Sequence, residues 1–153
     1  MGTSSRELER YYQSNELWGG VFCRDEVGRK HTGNKFFILN LDESTNQGTH
    51  WILFCDFLPT GPLYVDPFGM PPPPEYEKFM LRSPTLKKNP QARCLYSKVQ
   101  YQGITSDACG EFCIELADEL LEHRDKRLMD HELTQGESEH NERLVRKVKV
   151  RSS

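Results

Sequence analysis

The hydrophobic positions cluster first in Phe36-Phe37-Ile38-Leu39-Asn40-Leu41, between Gly33-Asn34 and Asp42-Glu43-Ser44-Thr45-Asn46. A short apolar run bounded by turn formers predicts a buried strand. Thr49 to Leu58, rich in aromatic and β-branched residues, predicts a second. Pro59-Thr60-Gly61-Pro62 then turns the chain into Leu63-Tyr64-Val65-Asp66, so these two segments are expected to pair as a hairpin. Before them, residues 6–15 predict a short opening helix, and Trp18-Gly19-Gly20-Val21-Phe22 a Gly-punctuated turn into an apolar step. After them, Pro71-Pro72-Pro73-Pro74 ends the sheet segment as a stiff connector, because proline cannot donate to a ladder. Residues 75–82 read as helical, and Leu95 to Gln102 alternates as a further strand. There is no internal repeat.

The clearest helix runs over 109–122. At about 100° per residue, Phe112, Cys113, Leu116, Ala117, Leu120 and Leu121 share one arc. Glu111, Glu115, Asp118, Glu119 and Glu122 take the other, which predicts a solvated acidic face on a helix packed against the sheet. Ser106 or Asp107 is the expected N-cap. Cys109, in the first turn, points toward the apolar arc and the sheet.

Charge adds a regional picture. Residues 107–139 hold 11 acidic and 3 basic side chains, whereas 140–153 hold 5 basic and 1 acidic. The pattern predicts a single domain over 1–142 and a basic tail over 143–153. Residues 143–151 of that tail are a candidate contact for DNA, or simply a soluble end. The chain of 153 residues is long enough for one core. Its mean hydropathy is −0.71, and no apolar run approaches the ~20 residues of a membrane span, so no membrane partner is expected. The first residues lack an apolar signal core, and five cysteines without framework spacing suit a reducing compartment, so secretion is not expected.

The chemistry centres on Cys109. A cysteine at a helix N-terminus feels the positive end of the dipole and unpaired backbone N–H groups, which favour thiolate and can stabilise an oxyanion. Gly110 removes a side chain where a substrate backbone would approach. Packing is the alternative role for a cysteine on an apolar helix face. His50 opens one strand of the hairpin and Asp66 closes the next, so antiparallel pairing brings them to one end. An imidazole that takes the thiol proton and an acid that orients it are what thiol catalysis requires. The alternative is a strand-edge histidine and a turn aspartate with no shared task. Trp51 could shield the imidazole from water. Gln102, seven residues before Cys109, could donate to the oxyanion, and Gln100 is a neighbour of the same type. No Cys/His set with zinc spacing accompanies Cys109 and Cys113, so no metal is expected and Cys113 reads as core.

Gly48-Thr49-His50-Trp51, Val65-Asp66-Pro67-Phe68-Gly69 and Gln102-Gly103-Ile104-Thr105-Ser106-Asp107-Ala108-Cys109-Gly110-Glu111-Phe112-Cys113, in this order, resemble the adenovirus proteinase (adenain) family. They are also similar to proteases of large DNA transposons and viruses, within a clan that includes the SUMO and ubiquitin-like protein proteases. The resemblance covers about residues 18–122. The seven-residue step from Gln102 to Cys109 looks more like the viral branch, the SUMO branch having one residue fewer. The resemblance implies an α+β fold, with a mixed sheet flanked by helices and the nucleophile at the N-terminus of a central helix packed on the sheet. It implies His50 as general base, Asp66 as its orienting acid (most adenovirus enzymes have Glu there), Cys109 as nucleophile and Gln102 as oxyanion donor. Gly20-Val21-Phe22-Cys23-Arg24-Asp25 also resembles the transposon-type proteases, without a physical role beyond shaping the groove.

The implied activity is a cysteine endopeptidase cutting viral or transposon precursors (capsid or core proteins) at glycine-containing sites. A ubiquitin- or SUMO-directed isopeptidase is the main alternative; an acyltransferase or an inactive binding module is the other. By the same resemblance, a peptide activator disulfide-linked at Cys94 and stimulation by DNA are candidate regulators. The adenovirus enzyme has a longer C-terminal part, and the strand after Arg93-Cys94 is shorter here. A monomer is expected, in the host nucleus or virion if viral and otherwise intracellular.

Overall fold

The computed structural model describes residues 4–27, 35–41, 50–97 and 109–123, with the side chains of Cys109 and His123 left undescribed. Helix α1 spans Ser5–Tyr12 and is closed at its start by a capping box: the Glu7 amide donates to Ser4 Oγ (3.2 Å), and the Glu7 carboxylate accepts from the Ser4 amide. It stops short of the expected residue 15 because Asn15 turns the chain, its side chain accepting from the Leu17 amide at 2.9 Å.

Five strands follow in one sheet, ordered as in the sequence: β1 (Trp18–Phe22), β2 (Phe36–Asn40), β3 (Trp51–Cys55), β4 (Leu63–Val65) and β5 (Leu95–Tyr96). β1 runs parallel to β2, β2 antiparallel to β3, β3 antiparallel to β4, and β4 parallel to β5. The expected α+β class, a mixed sheet flanked by helices, is the fold observed. β1 is a paired strand rather than a turn, and the glycines explain how. A Cβ on Gly19 would lie 2.1 Å from the Phe37 ring, so the strand can sit against its neighbour only without one. A register irregularity between Trp18 and Gly20 absorbs the extra residue.

The hairpin forms as the turn residues predict, with Leu53 opposite Val65 and Cys55 opposite Leu63. Every residue of β2, β3 and β4 is buried, as expected of strands covered on both faces. Alternation divides them. Phe36, Ile38, Trp51, Leu53, Cys55, Leu63 and Val65 pack with α4 (Cys109–His123) and α1. Phe37, Leu39, Ile52, Phe54 and Tyr64 pack with α2 (Pro74–Leu81) through Tyr76, Phe79 and Met80. The last proline of the tetraproline run is the first residue of α2, where a missing N–H costs nothing. A short helix α3 (Pro84–Lys88), absent from the sequence reading, starts at the Ser83 cap. Ser97 extends the β4–β5 ladder by donating to the Tyr64 carbonyl at 3.0 Å; the rest of the strand expected to Gln102 lies outside the described residues.

α4 buries Phe112, Cys113, Leu116, Ala117 and Leu120 against the sheet, each large apolar side chain contributing about 1.5–3 kcal/mol. The expectation of a solvated acidic face needs correction. Glu111 is buried, Glu115, Asp118 and Glu119 are half-buried, and Glu122 alone of the five is exposed. For Asp118 the reason is α1, which the helix wheel does not contain. Tyr11 Oη and Tyr12 Oη both donate to the Asp118 carboxylate, at 3.0 and 2.7 Å. Burial, and then this carboxylate, push the Tyr12 phenol well above its ordinary pKa.

Candidate active site

The hairpin sets the geometry at its open end. His50 immediately precedes β3, and its carbonyl accepts from the Leu41 amide at 3.1 Å, so its backbone is held one residue beyond the strand. Asp66 follows Val65, the last residue of β4. Its side chain turns back to the imidazole, with His50 Nε2 2.7 Å from Asp66 Oδ1. The carboxylate is nearly inaccessible (side chain 2% exposed), while the imidazole keeps 16%, enough to meet a ligand.

The turn after β4 completes the carboxylate's surroundings. In Asp66-Pro67-Phe68-Gly69 the Gly69 amide donates to the Asp66 carbonyl (2.7 Å), closing a β-turn with Pro at its second position. Gly69 has φ 80°, a conformation that favours glycine. Within the turn the Phe68 amide donates to Asp66 Oδ1 at 2.8 Å. A buried carboxylate thus receives two donors, one from the imidazole and one from its own turn. That arrangement limits the desolvation cost of an ionised group.

The partner atoms fix the tautomer. An ionised carboxylate only accepts, so Nε2 carries a proton toward Asp66, and in the neutral ring Nδ1 is the acceptor. A histidine so held can take a proton at Nδ1 while Asp66 stabilises the resulting cation.

Cys109 is the first residue of α4, and that helix packs on β3, the strand His50 leads into. Its side chain lies outside the described residues, as do Gln102, Gln100, the caps Ser106 and Asp107, and the basic residues 143–151. The structure therefore brings His50 and Asp66 together and places the Cys109 backbone at the head of the helix. Trp51, expected as a shield, belongs to the core shared with α4. The ring stacked on His50 is Phe68, with centroids 4.7 Å apart and planes 19° apart. Sequence reasoning quoted Phe68 within a motif but gave it no task. The only signal was its place in the turn directly after Asp66, past the last paired residue Val65.

Three other residues singled out in the sequence also have definite places. Arg24 Nε and Nη2 bind the Glu75 carboxylate at the start of α2, tying the segment after β1 to the helix on the far face of the sheet. Cys94 is exposed beside β5, and burial of its sulfur, with the carboxylates of Asp56 and Glu77, pushes its thiol pKa up. Cys113 is fully buried in the core. Among the described residues no group of His, Cys, Asp and Glu could hold a metal ion, and no helix is long and apolar enough to cross a membrane.

No protein-family model matches the sequence, and no curated protein does. Solved structures do. A crystal structure of the ASFV pS273R protease superposes with a TM-score of 0.60 at 15% identity, covering 91% of this chain and 63% of that one. The selenomethionine form of the same protease gives 0.57 at 18%, covering 91% and 64%. The fold is shared. This chain spans just under two thirds of the length of the solved structures it matches.

Proposed function

We propose that this chain is a cysteine endopeptidase of the adenain-like, viral or transposon branch, which cuts precursor proteins at glycine-containing sites. The observation that carries the reading is the 2.7 Å contact of His50 Nε2 with a buried Asp66, on a fold shared with a viral protease. Its counterpart is Cys109 at the head of α4. His50 Nδ1 takes the Cys109 proton, giving a thiolate–imidazolium pair that the helix dipole and Asp66 both favour. The thiolate adds to the substrate carbonyl carbon, and the oxyanion is held by the Cys109 amide and the Gln102 side chain. The C–N bond then breaks as the imidazolium protonates the departing amine. Water, activated by the same imidazole, cleaves the thioester and frees the thiol.

The glycine preference belongs to the proposal through the resemblance, which implies a groove over Cys109 too narrow for side chains. Protein precursors of the same virus or element are the substrates, and the nucleus or the virion is the place of action. Stimulation by DNA through residues 143–151, and by a peptide joined at Cys94, belongs to the same proposal.

The test is cleavage of structural proteins encoded beside this chain, wild type against Cys109→Ala. Site-specific cuts next to glycine, lost in the variant, are expected. Covalent labelling of Cys109 by ubiquitin- or SUMO-based electrophilic probes, with no precursor cleavage, would replace the reading with deconjugation.

A further inference from the structure

One side chain at the open end of the hairpin has no part in the scheme above, and its geometry is specific. Phe68 contributes two different groups. Its amide donates to Asp66 Oδ1 (2.8 Å), the same oxygen that holds His50 Nε2. Its ring lies nearly parallel to the imidazole, with centroids 4.7 Å apart. The amide therefore aims the carboxylate, and the ring covers one face of the histidine that the carboxylate holds. Phe68 is itself half-buried, so its ring is not simply core filling.

From this we infer that Phe68 is the positioning residue of His50: its ring fixes the plane of the imidazole, so that Nδ1 points along one direction and Nε2 stays on Asp66. The inference rests on the protease reading for its consequence, but not for its geometry. The hydrogen bond at Nε2 does not by itself set the plane of the ring. The stacked face of Phe68 bears on that plane, because turning the imidazole would break an offset contact between two flat faces. The same face-on contact is electrostatically favourable to a charged imidazolium, the form that exists while the thiolate is waiting. Main chain and side chain act separately here, so they can be tested separately. Replacing Phe68 by Leu keeps the amide donor and an apolar side chain while removing the flat ring. Replacing it by Tyr restores the ring.

The readout is the rate at which iodoacetamide alkylates Cys109 in the full chain at about pH 6, where an unassisted thiol is almost wholly protonated. Phe68→Leu is expected to slow this rate about tenfold, the cost of a misdirected base, with an unchanged melting temperature. Phe68→Tyr is expected to restore it, and His50→Ala to slow it at least as much as Phe68→Leu. If His50→Ala slows alkylation and Phe68→Leu does not, the positioning role is overturned and the protease reading stands. If His50→Ala has no effect, the protease reading falls. NMR of the full-length Cys109→Ala chain then judges the geometry alone: His50 ring protons shifted upfield, with cross-relaxation to the Phe68 ring, are expected. Random-coil shifts without that contact overturn the inference, including where Phe68→Leu fails to fold.

Discussion

Asp56 and Asp66 are the same residue type, lie at opposite ends of one hairpin, and are both withdrawn from water, at 0% and 1% exposure. Their partners differ. Asp56 accepts from the Ser83 hydroxyl, which also caps α3 through the Thr85 amide. Asp66 accepts from an imidazole and from the turn that follows it. A hydroxyl cannot take up a proton near neutral pH, so the Asp56–Ser83 bond holds the chain together and moves no proton. A histidine can, so the Asp66 end can also move protons. Burial of a carboxylate does not mark a site; the titratable partner does.

Truncating the two residues separates these roles. Asp66→Ala should lower the turnover of a cleaved precursor peptide by about 10⁴-fold, the scale seen when a triad carboxylate is disabled, while the chain remains folded by circular dichroism. Asp56→Ala should leave turnover per folded molecule unchanged. It should cost about 1–3 kcal/mol in urea unfolding, because it strands the Ser83 hydroxyl and empties a buried site. The reverse assignment of losses would break the contrast.

Buried tyrosines sharpen it through pH. Tyr12, Tyr64 and Tyr76 are all buried, and each phenol is pushed above its ordinary pKa, chiefly by burial. Beyond that shared cause, the Asp118 carboxylate raises Tyr12, the Asp66 carboxylate raises Tyr64 and the Cys23 sulfur raises Tyr76. The Tyr64 hydroxyl has no hydrogen-bond partner among the described residues, whereas the Tyr76 hydroxyl donates to the Asn40 carbonyl. A group whose folded pKa is raised contributes stability below its unfolded value and loses it above. Stability should therefore hold to about pH 10 and fall beyond it, with the phenolate absorbance of these three, identified by its loss in their Tyr→Phe variants, appearing together with unfolding. Absorbance from these three that rises first, on a folded chain, would contradict the burial.

The smallest effect concerns a third carboxylate. Asp118 resembles Asp56 in having hydroxyl partners, so Tyr12→Phe should cost about 1 kcal/mol in urea unfolding and leave cleavage unaltered.

Much of this was legible in the residues because the strong signals are local. Continuous apolar runs announced β2 and β3, Pro59 to Pro62 announced the hairpin, and the apolar arc of 109–122 announced α4. The meeting of His50 and Asp66 followed from pairing alone, since antiparallel strands bring the start of one to the end of the next. What escaped depended on distant contacts or weak patterns. β1 was hidden because Gly19-Gly20 reads as a turn until the Phe37 ring above it is known. α3 has five residues and no apolar period, although Ser83-Pro84 is a start signal. Asp118 on α4 seemed destined for solvent because nothing within 109–122 reveals the tyrosines of α1. Phe68 escaped because it lies in a turn past the last paired residue, Val65, where no strand pairing names its partner.

The ladder between Trp51 and Val65 also works as a ruler. Inserting or deleting one residue within either strand would slide the pairing by a step and send every downstream side chain to the opposite surface of the sheet. The carboxylate after Val65, which shares the Tyr64 side of the sheet, would then turn to the α4 side and away from the imidazole. The Pro59–Pro62 bend is held as tightly, since the Arg93 amide donates to the Thr60 carbonyl and the Leu95 amide to that of Pro62, so the spacing is fixed at both ends of the hairpin.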